Sequence, residues 1–185
     1  MSSGDKLIEQ VLILRCQIGD KDALTELIER YEAPLRYFIS RLSANPETAE
    51  DIFQDTWLTV IRRIHSLKKT DAFSTWLYRI ARNKVYQRFR RKRKLFELNE
   101  NMADPNDTEN DVFSTEDAAK IHRCLKELLP EYREVLMLRF LEQMSYEQIS
   151  QVINCRLGTV KSRIHYAKLA LKKEMEIEKW QKKMI

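Results

Sequence analysis

The chain has 185 residues, enough for one ordinary domain or two small ones, with 33 lysines and arginines against 28 aspartates and glutamates. No stretch approaches the roughly 18 apolar residues of a membrane span, and the polar start MSSGDKLIEQ predicts no secretory leader. Three scattered cysteines, three histidines at no metal-ligand spacing, and the lack of a phosphate loop, dinucleotide fingerprint or nucleophile elbow argue against a disulfide scaffold, a zinc site and an enzyme.

No cofactor, metal or small-molecule substrate is therefore expected, and the protein is expected in the cytoplasm. Cys16, Cys124 and Cys155 are expected to be reduced, mostly buried thiols. The net charge of +5 is unevenly spread. Residues 97–117 hold eight acids and no lysine or arginine, so removing those eight carboxylates leaves +13 on the rest. A basic remainder suits a polyanionic partner. Glycine and proline are scarce, and no alternating strand pattern stands out, so the fold class is all-α.

A first helix is predicted over 6–18, with Leu7, Val11, Leu14 and Ile18 as its apolar set, ending near Gly19. A second starts between Asp20 and Asp22. Its buried stripe is Leu24, Leu27, Ile28, Tyr31, Leu35, Phe38, Ile39 and Leu42, with Pro34 expected to kink or loosen it. Asn45-Pro46-Glu47 opens a third: an N-cap amide, proline at the first helical position, and an acid in the positive first turn. Its inner face carries Ala49, Ile52, Phe53, Thr56, Trp57, Val60, Ile61 and Ile64. Glu50, Asp51, Gln54 and Asp55 gather outside. In a basic protein, that acidic face is either a solvated surface or a seat for a basic partner.

After a polar loop, 65–70, a fourth helix is predicted over 71–96, with Phe73, Trp76, Leu77, Ile80 and Ala81 inward. Arg79, Asn83, Tyr86 and Arg90 recur at spacings of four, three and four on another face, and the helix ends in RFRRKRK (88–94). Rings beside cations can stack an unpaired base while holding its phosphates, although the run could equally be a plain nucleic-acid patch. Residues 97–115 show no helical period and read as a flexible acidic linker.

Beyond it, one helix carries Ala118, Ile121, Cys124, Leu125 and Leu128 and stops at Pro130. Another covers 131–141 with Tyr132, Val135, Leu136 and Phe140 inward. Then comes SYEQISQVINCRLGTVKSRIHYAK (145–168). Ser145 with Gln148 forms a capping box, Ile149, Val152 and Ile153 give an apolar stripe, and Asn154 suits a left-handed helix end. A second helix starts near Gly158 or Thr159, with Val160, Ile164, Ala167 and Leu171 behind. Lys161, Ser162, Arg163, His165, Tyr166 and Lys168 lie in front. A short helix that is apolar behind and basic in front fits a major groove, so this is predicted to be a helix-turn-helix. The charged tail after Lys172 extends the last helix.

Four of these stretches, AEDIFQDTWLTV (49–60), FSTWLYRIARN (73–83), LPEYREVLMLRF (129–140) and SYEQIS…GTVKSRIHYAK, make nearly the whole chain resemble a bacterial RNA polymerase sigma factor of the extracytoplasmic function (ECF) group. The resemblance implies two small helical domains. Residues 6–96 correspond to a region 2-like domain that binds core polymerase and the −10 element. Residues 97–115 are the linker, and 116–175 correspond to a region 4-like helix-turn-helix domain for the −35 element. It implies that Asp51, Gln54, Asp55 and Leu58 dock on the clamp helices of the largest polymerase subunit, with a further contact to the flap. Leu67, Lys68, Arg79, Asn83, Tyr86 and Arg90 then bind the −10 element and hold a flipped base. Arg156, Thr159, Lys161, Ser162, Arg163, His165 and Tyr166 read −35. An anti-sigma protein, often membrane-bound in this group, is the implied inhibitor. The chain departs from the group at Ser150, where alanine is common, at Gln87, where an acid is frequent, and at Tyr166-Ala167-Lys168, where Arg-Ala-Arg is usual. The alternative is a stand-alone helix-turn-helix regulator that binds an operator as a dimer.

Overall fold

In the computed structural model every element among the described residues is helical. The structure describes residues 3–43, 45–96 and 116–183, with side chains over 4–43, 45–91 and 119–177. The expected linker, 97–115, lies outside the described residues, as do the side chains of Lys92, Arg93, Lys94 and Trp180. The chain divides into two units, Met1–Asn106 and Asp107–Ile185.

The first unit holds α1 (Ser3–Gln17), α2 (Lys21–Leu42), α3 (Pro46–Arg63) and α4 (Phe73–Phe96), with one-turn 3-10 segments at Ile64–Ser66 and Thr70–Ala72. Asp20 caps α2, its carboxylate accepting the Asp22 and Ala23 amides at 3.0 Å each, while Arg15 donates to it at 2.9 Å. The Ala23 amide first, and then Arg15, hold the Asp20 carboxyl below its ordinary range. A lowered folded-state pKa means the cap's contribution is complete above the unfolded value and disappears as pH falls through the folded one. The acid limb of thermal melting should therefore flatten in Asp20→Asn, which keeps an acceptor and loses the titration.

Asn45 caps α3 as expected, accepting the Thr48 amide at 2.8 Å. α2 runs unbroken through Pro34. Tyr31, Leu35, Phe38 and Ile39 are buried on both sides of it, and this packing carries the helix past the missing amide. Aromatic edges tie the elements together, Phe38 to Tyr78 at 5.1 Å and Tyr31 to Phe73 at 5.4 Å. α4 begins at Phe73, and the residues expected to open it form the second 3-10 turn.

Two inner faces differ from expectation. On α1 the buried residues are Leu12, Ile13 and Cys16, while Leu7, Val11, Leu14 and Ile18 face out. α1 is apolar on both sides, so its periodicity alone cannot choose the inner one. Glu9 marks the inner side by accepting from the Tyr31 hydroxyl at 2.8 Å. On α3, Ile61 is exposed and not inward.

The second unit holds α5 (Glu116–Lys126), α6 (Pro130–Leu136) running into a π turn at Met137–Leu141, α7 (Tyr146–Ile153) and α8 (Leu157–Lys183). Its core joins Cys124, Leu125 and Leu128 to Val135, Leu138, Ile149, Val152, Val160 and Ile164. Arg133 donates to the carbonyls of Leu125, Lys126 and Leu128 at 2.6–3.2 Å, closing the end of α5 where helix carbonyls lack partners. Ile121 and Phe140, expected inside, are exposed. The π turn adds a residue to the helical repeat, which rotates Phe140 off the inner face. The Lys168 ammonium lies over its ring at 5.2 Å. Cys155 is only half-buried, unlike Cys16 and Cys124.

Candidate nucleic-acid interface

The capping box at α7 is complete: Ser145 Oγ accepts the Gln148 amide at 3.2 Å and Gln148 Oε1 accepts the Ser145 amide at 2.8 Å. Replacing Ser145 with alanine should cost about 1 kcal/mol, read as a lower midpoint in urea unfolding. Asn154 ends α7 at φ 52° and ψ 55°, in the left-handed region. Ser150 fastens the turn by donating to the Cys155 carbonyl at 2.7 Å, which gives the departure from alanine a purpose. α8 starts at Leu157, one residue before the expected range.

Burial sorts the face of α8. Val160, Ile164 and Ala167 are buried, so Ser162, His165 and Tyr166 point away from the core, with Leu169 one turn further on. Lys161 and Lys168 flank this strip on one side, Thr159 and Arg163 on the other. Cations at the edges and small or ring-bearing groups in the middle match a groove whose walls are phosphates and whose floor is base edges. His165 and Tyr166 meet edge to face at 5.4 Å. The Ser162 hydroxyl donates to the Thr159 carbonyl at 3.0 Å, which leaves its lone pairs outward. Arg156 is exposed at the turn. The Glu147 carboxyl is held below its ordinary range first by its own backbone amide and then by the Ser145 hydroxyl, with Lys161 adding a smaller part.

In the first unit, Arg79, Asn83 and Arg90 are exposed along α4 and Tyr86 is half-buried under Arg82, whose guanidinium carbon lies 4.3 Å from the ring centre. Trp76, expected in the core, is half-buried three residues before Arg79, at the head of that face. The fully buried rings of α4 are instead Phe73 and Tyr78. Phe89 is exposed and packs edge-on against Tyr86 at 6.4 Å. Lys68 is exposed and Leu67 half-buried in the turn before α4.

The α3 face lies apart from these cations. Glu50 is tied inward by Arg36, which also bonds Glu32 at 3.0 Å and lies over the Phe53 ring at 3.9 Å. Asp51 pairs with Arg88 of α4 at 3.2 Å. Asp55 has no side-chain partner among the described residues, and Leu58 lies exposed one turn beyond it.

The family models "Sigma-70 region 2" and "Sigma-70, region 4" match residues 27–95 and 118–171. The chain is 31% identical over 170 residues to the ECF RNA polymerase sigma factor SigW of Bacillus subtilis, covering 85% of this chain and 91% of that one. This chain belongs to the ECF sigma factors. It is 32% identical to the RNA polymerase sigma-H factor of Pseudomonas aeruginosa, covering 91% of this chain and 94% of that one. Among solved structures it is similar to the sigma factor RpoE in complex with the anti-sigma factor NepR from Bartonella quintana. The TM-score is 0.72 at 26% identity, covering 85% of this chain and 98% of that chain.

In this sigma factor one positioning residue escaped the sequence reading. Gln17, at the end of α1, donates its amide to the carbonyls of Ile64 and Leu67 at 3.0 and 2.8 Å. It pins the turn that carries Lys68, from nearly fifty residues away in sequence. No local pattern announces such a bond. Ile61, expected on the inner face, belongs to the outer one: exposed three residues after Leu58, it widens the apolar part of the α3 face.

Proposed function

We propose that this sigma factor uses three separate surfaces in one sequence of events. The α3 face of Asp51, Gln54, Asp55 and Leu58, widened by Ile61, docks on the clamp helices of core polymerase. The α7–α8 pair places Arg156, Thr159, Lys161, Ser162, Arg163, His165 and Tyr166 in the −35 major groove. Leu67, Lys68, Arg79, Asn83, Tyr86 and Arg90 hold the −10 strand once it opens. Capturing an unstacked base offsets part of a melting cost of a few kcal/mol.

The observation that carries the assignment is the acidic, partly apolar α3 face on a chain whose two DNA-assigned helices, α4 and α8, are strongly basic. Polyanionic DNA repels such a face, so a protein partner is its natural occupant. The boundaries 6–96, 97–115 and 116–175 are the divisions we assign, and the two family matches fall inside the outer two. The protein makes and breaks no covalent bonds in this scheme. It acts in the cytoplasm, where polymerase and promoters are, and an anti-sigma protein holds it inactive by covering these surfaces.

The test is selection of genomic fragments by the purified protein with and without core polymerase. Enrichment of sites with two spaced elements, only when core is present, is the expected result. Enrichment of palindromic sites by the protein alone would overturn the scheme.

A further inference from the structure

α1 is apolar on two opposite sides, and only one of them is covered. Leu12, Ile13 and Cys16 pack inward, while Leu7, Ile8, Val11, Leu14 and Ile18 stand 63%, 53%, 48%, 53% and 85% exposed. Scattered apolar side chains on a surface need no account, but four on one stripe of a fifteen-residue helix, with Ile18 continuing it in the turn just past the helix end, do.

The stripe has an internal order. Leu7, Val11, Leu14 and Ile18 follow at spacings of four, three and four, which is the seam of two helices packed knobs-into-holes. With Leu7 and Leu14 as d positions, Val11 and Ile18 are a positions. Ile8 and Arg15 then fall at e, and Gln10 and Gln17 at g.

We infer that this face pairs with the same face of a second copy, antiparallel, about a two-fold axis passing between Leu12 and Ile13. That register sets Val11 against Leu14 of the other copy and Leu7 against its Ile18. Such a contact is isologous and closes as a dimer. The flanks are compatible with it. Ile8 meets Arg15 of the second copy, whose aliphatic stem can cover it. The Arg15 guanidinium is already held by Asp20 at 2.8 Å, so no bare cation reaches the seam. Gln10 meets Gln17, whose amide is engaged with the Ile64 and Leu67 carbonyls while its oxygen remains an acceptor. No two like charges face one another. A parallel pairing brings Ile8 beside Ser3 and leaves it uncovered, and it sets the two helix dipoles side by side in the same sense.

Covering both stripes removes on the order of 1,000 Å² in all, the low end for a specific interface, so a weak, reversible association is expected. None of the residues assigned to polymerase or DNA takes part, and the pairing stands whether or not those assignments hold.

Sedimentation equilibrium of the full chain, without DNA or polymerase, from low to high micromolar concentration tests it. The expected result is a monomer–dimer curve for the natural protein. Leu14→Glu and Val11→Lys, each at an exposed position, should remain helical by circular dichroism and sediment as monomers. Mixed in equal amounts, those two variants should associate, because Glu at 14 then meets Lys at 11 in one layer while the other layer keeps its apolar pair. Leu129→Glu, an exposed apolar site on the other unit, should dimerise like the natural protein. A natural protein that stays monomeric throughout, or a Leu14→Glu variant that dimerises equally well, overturns the inference and leaves the face to a foreign helix. Failure of the mixture to associate overturns the antiparallel register.

Discussion

Lysine in place of Asp55 is expected to weaken binding to core RNA polymerase by roughly a hundredfold, or nearly 3 kcal/mol. The expectation rests on the condition of each acid on α3. Glu50 is held by Arg36 and Gln54, which keep its carboxyl below the ordinary range and its charge turned toward α2. Asp51 is engaged with Arg88. Asp55 alone of the three offers a carboxylate with no partner among the described residues, beside an exposed leucine. Asp51→Asn should therefore cost less than tenfold, because docking at Asp51 must first displace an arginine. Titration of the labelled protein with core polymerase, without DNA, measures both. Equal losses, or undiminished binding by a folded Asp55→Lys protein, would refute the graded assignment.

Aspartate at Val160 should have the largest effect in the second unit. Val160 is fully buried behind the recognition strip, against a core of Ile149, Val152 and Ile164. An unpaired carboxylate there costs about 4 kcal/mol or more, a large part of what a small helical domain has. Helical signal and promoter-specific retention should both fall. Affinity for core polymerase should fall far less than in Asp55→Lys, since α3 lies in the other unit. Hydrogen exchange resolves the two units, and protection in α2 and α3 should survive. Simultaneous loss of protection throughout the chain would show that the second unit is needed to fold the first.

Much of this architecture is legible in the residues because local signals and tertiary packing agree. Asn45-Pro46-Glu47 and Ser145 with Gln148 mark helix starts by satisfying orphan amides, and the structure makes those bonds. The stripe of α2 survives Pro34 because its inner residues are buried on both sides. Where expectation failed, the apolar pattern was ambiguous or the period changed. α1 carries apolar residues on two faces, and polar bonds such as Glu9–Tyr31 tell them apart. Phe140 was counted inward on an α-helical period that the π turn interrupts. Among the site residues, those on regular helices fell on the expected faces. Gln17 was invisible because its importance lies in a bond to backbone atoms far along the chain.

The ion pair between Asp51 and Arg88 joins the helix assigned to polymerase with the helix assigned to DNA. In the free protein each charge quenches the other. A polymerase group that claims Asp51 liberates a guanidinium on α4, and a phosphate that claims Arg88 liberates a carboxylate on α3. Such coupling is reciprocal by thermodynamic necessity: whatever factor by which one partner strengthens the other must apply in both directions. With both groups largely solvated, the factor is modest, a few-fold at most. Modest is sufficient to make premature attachment to DNA slightly less favourable before polymerase arrives, and slightly more favourable afterwards.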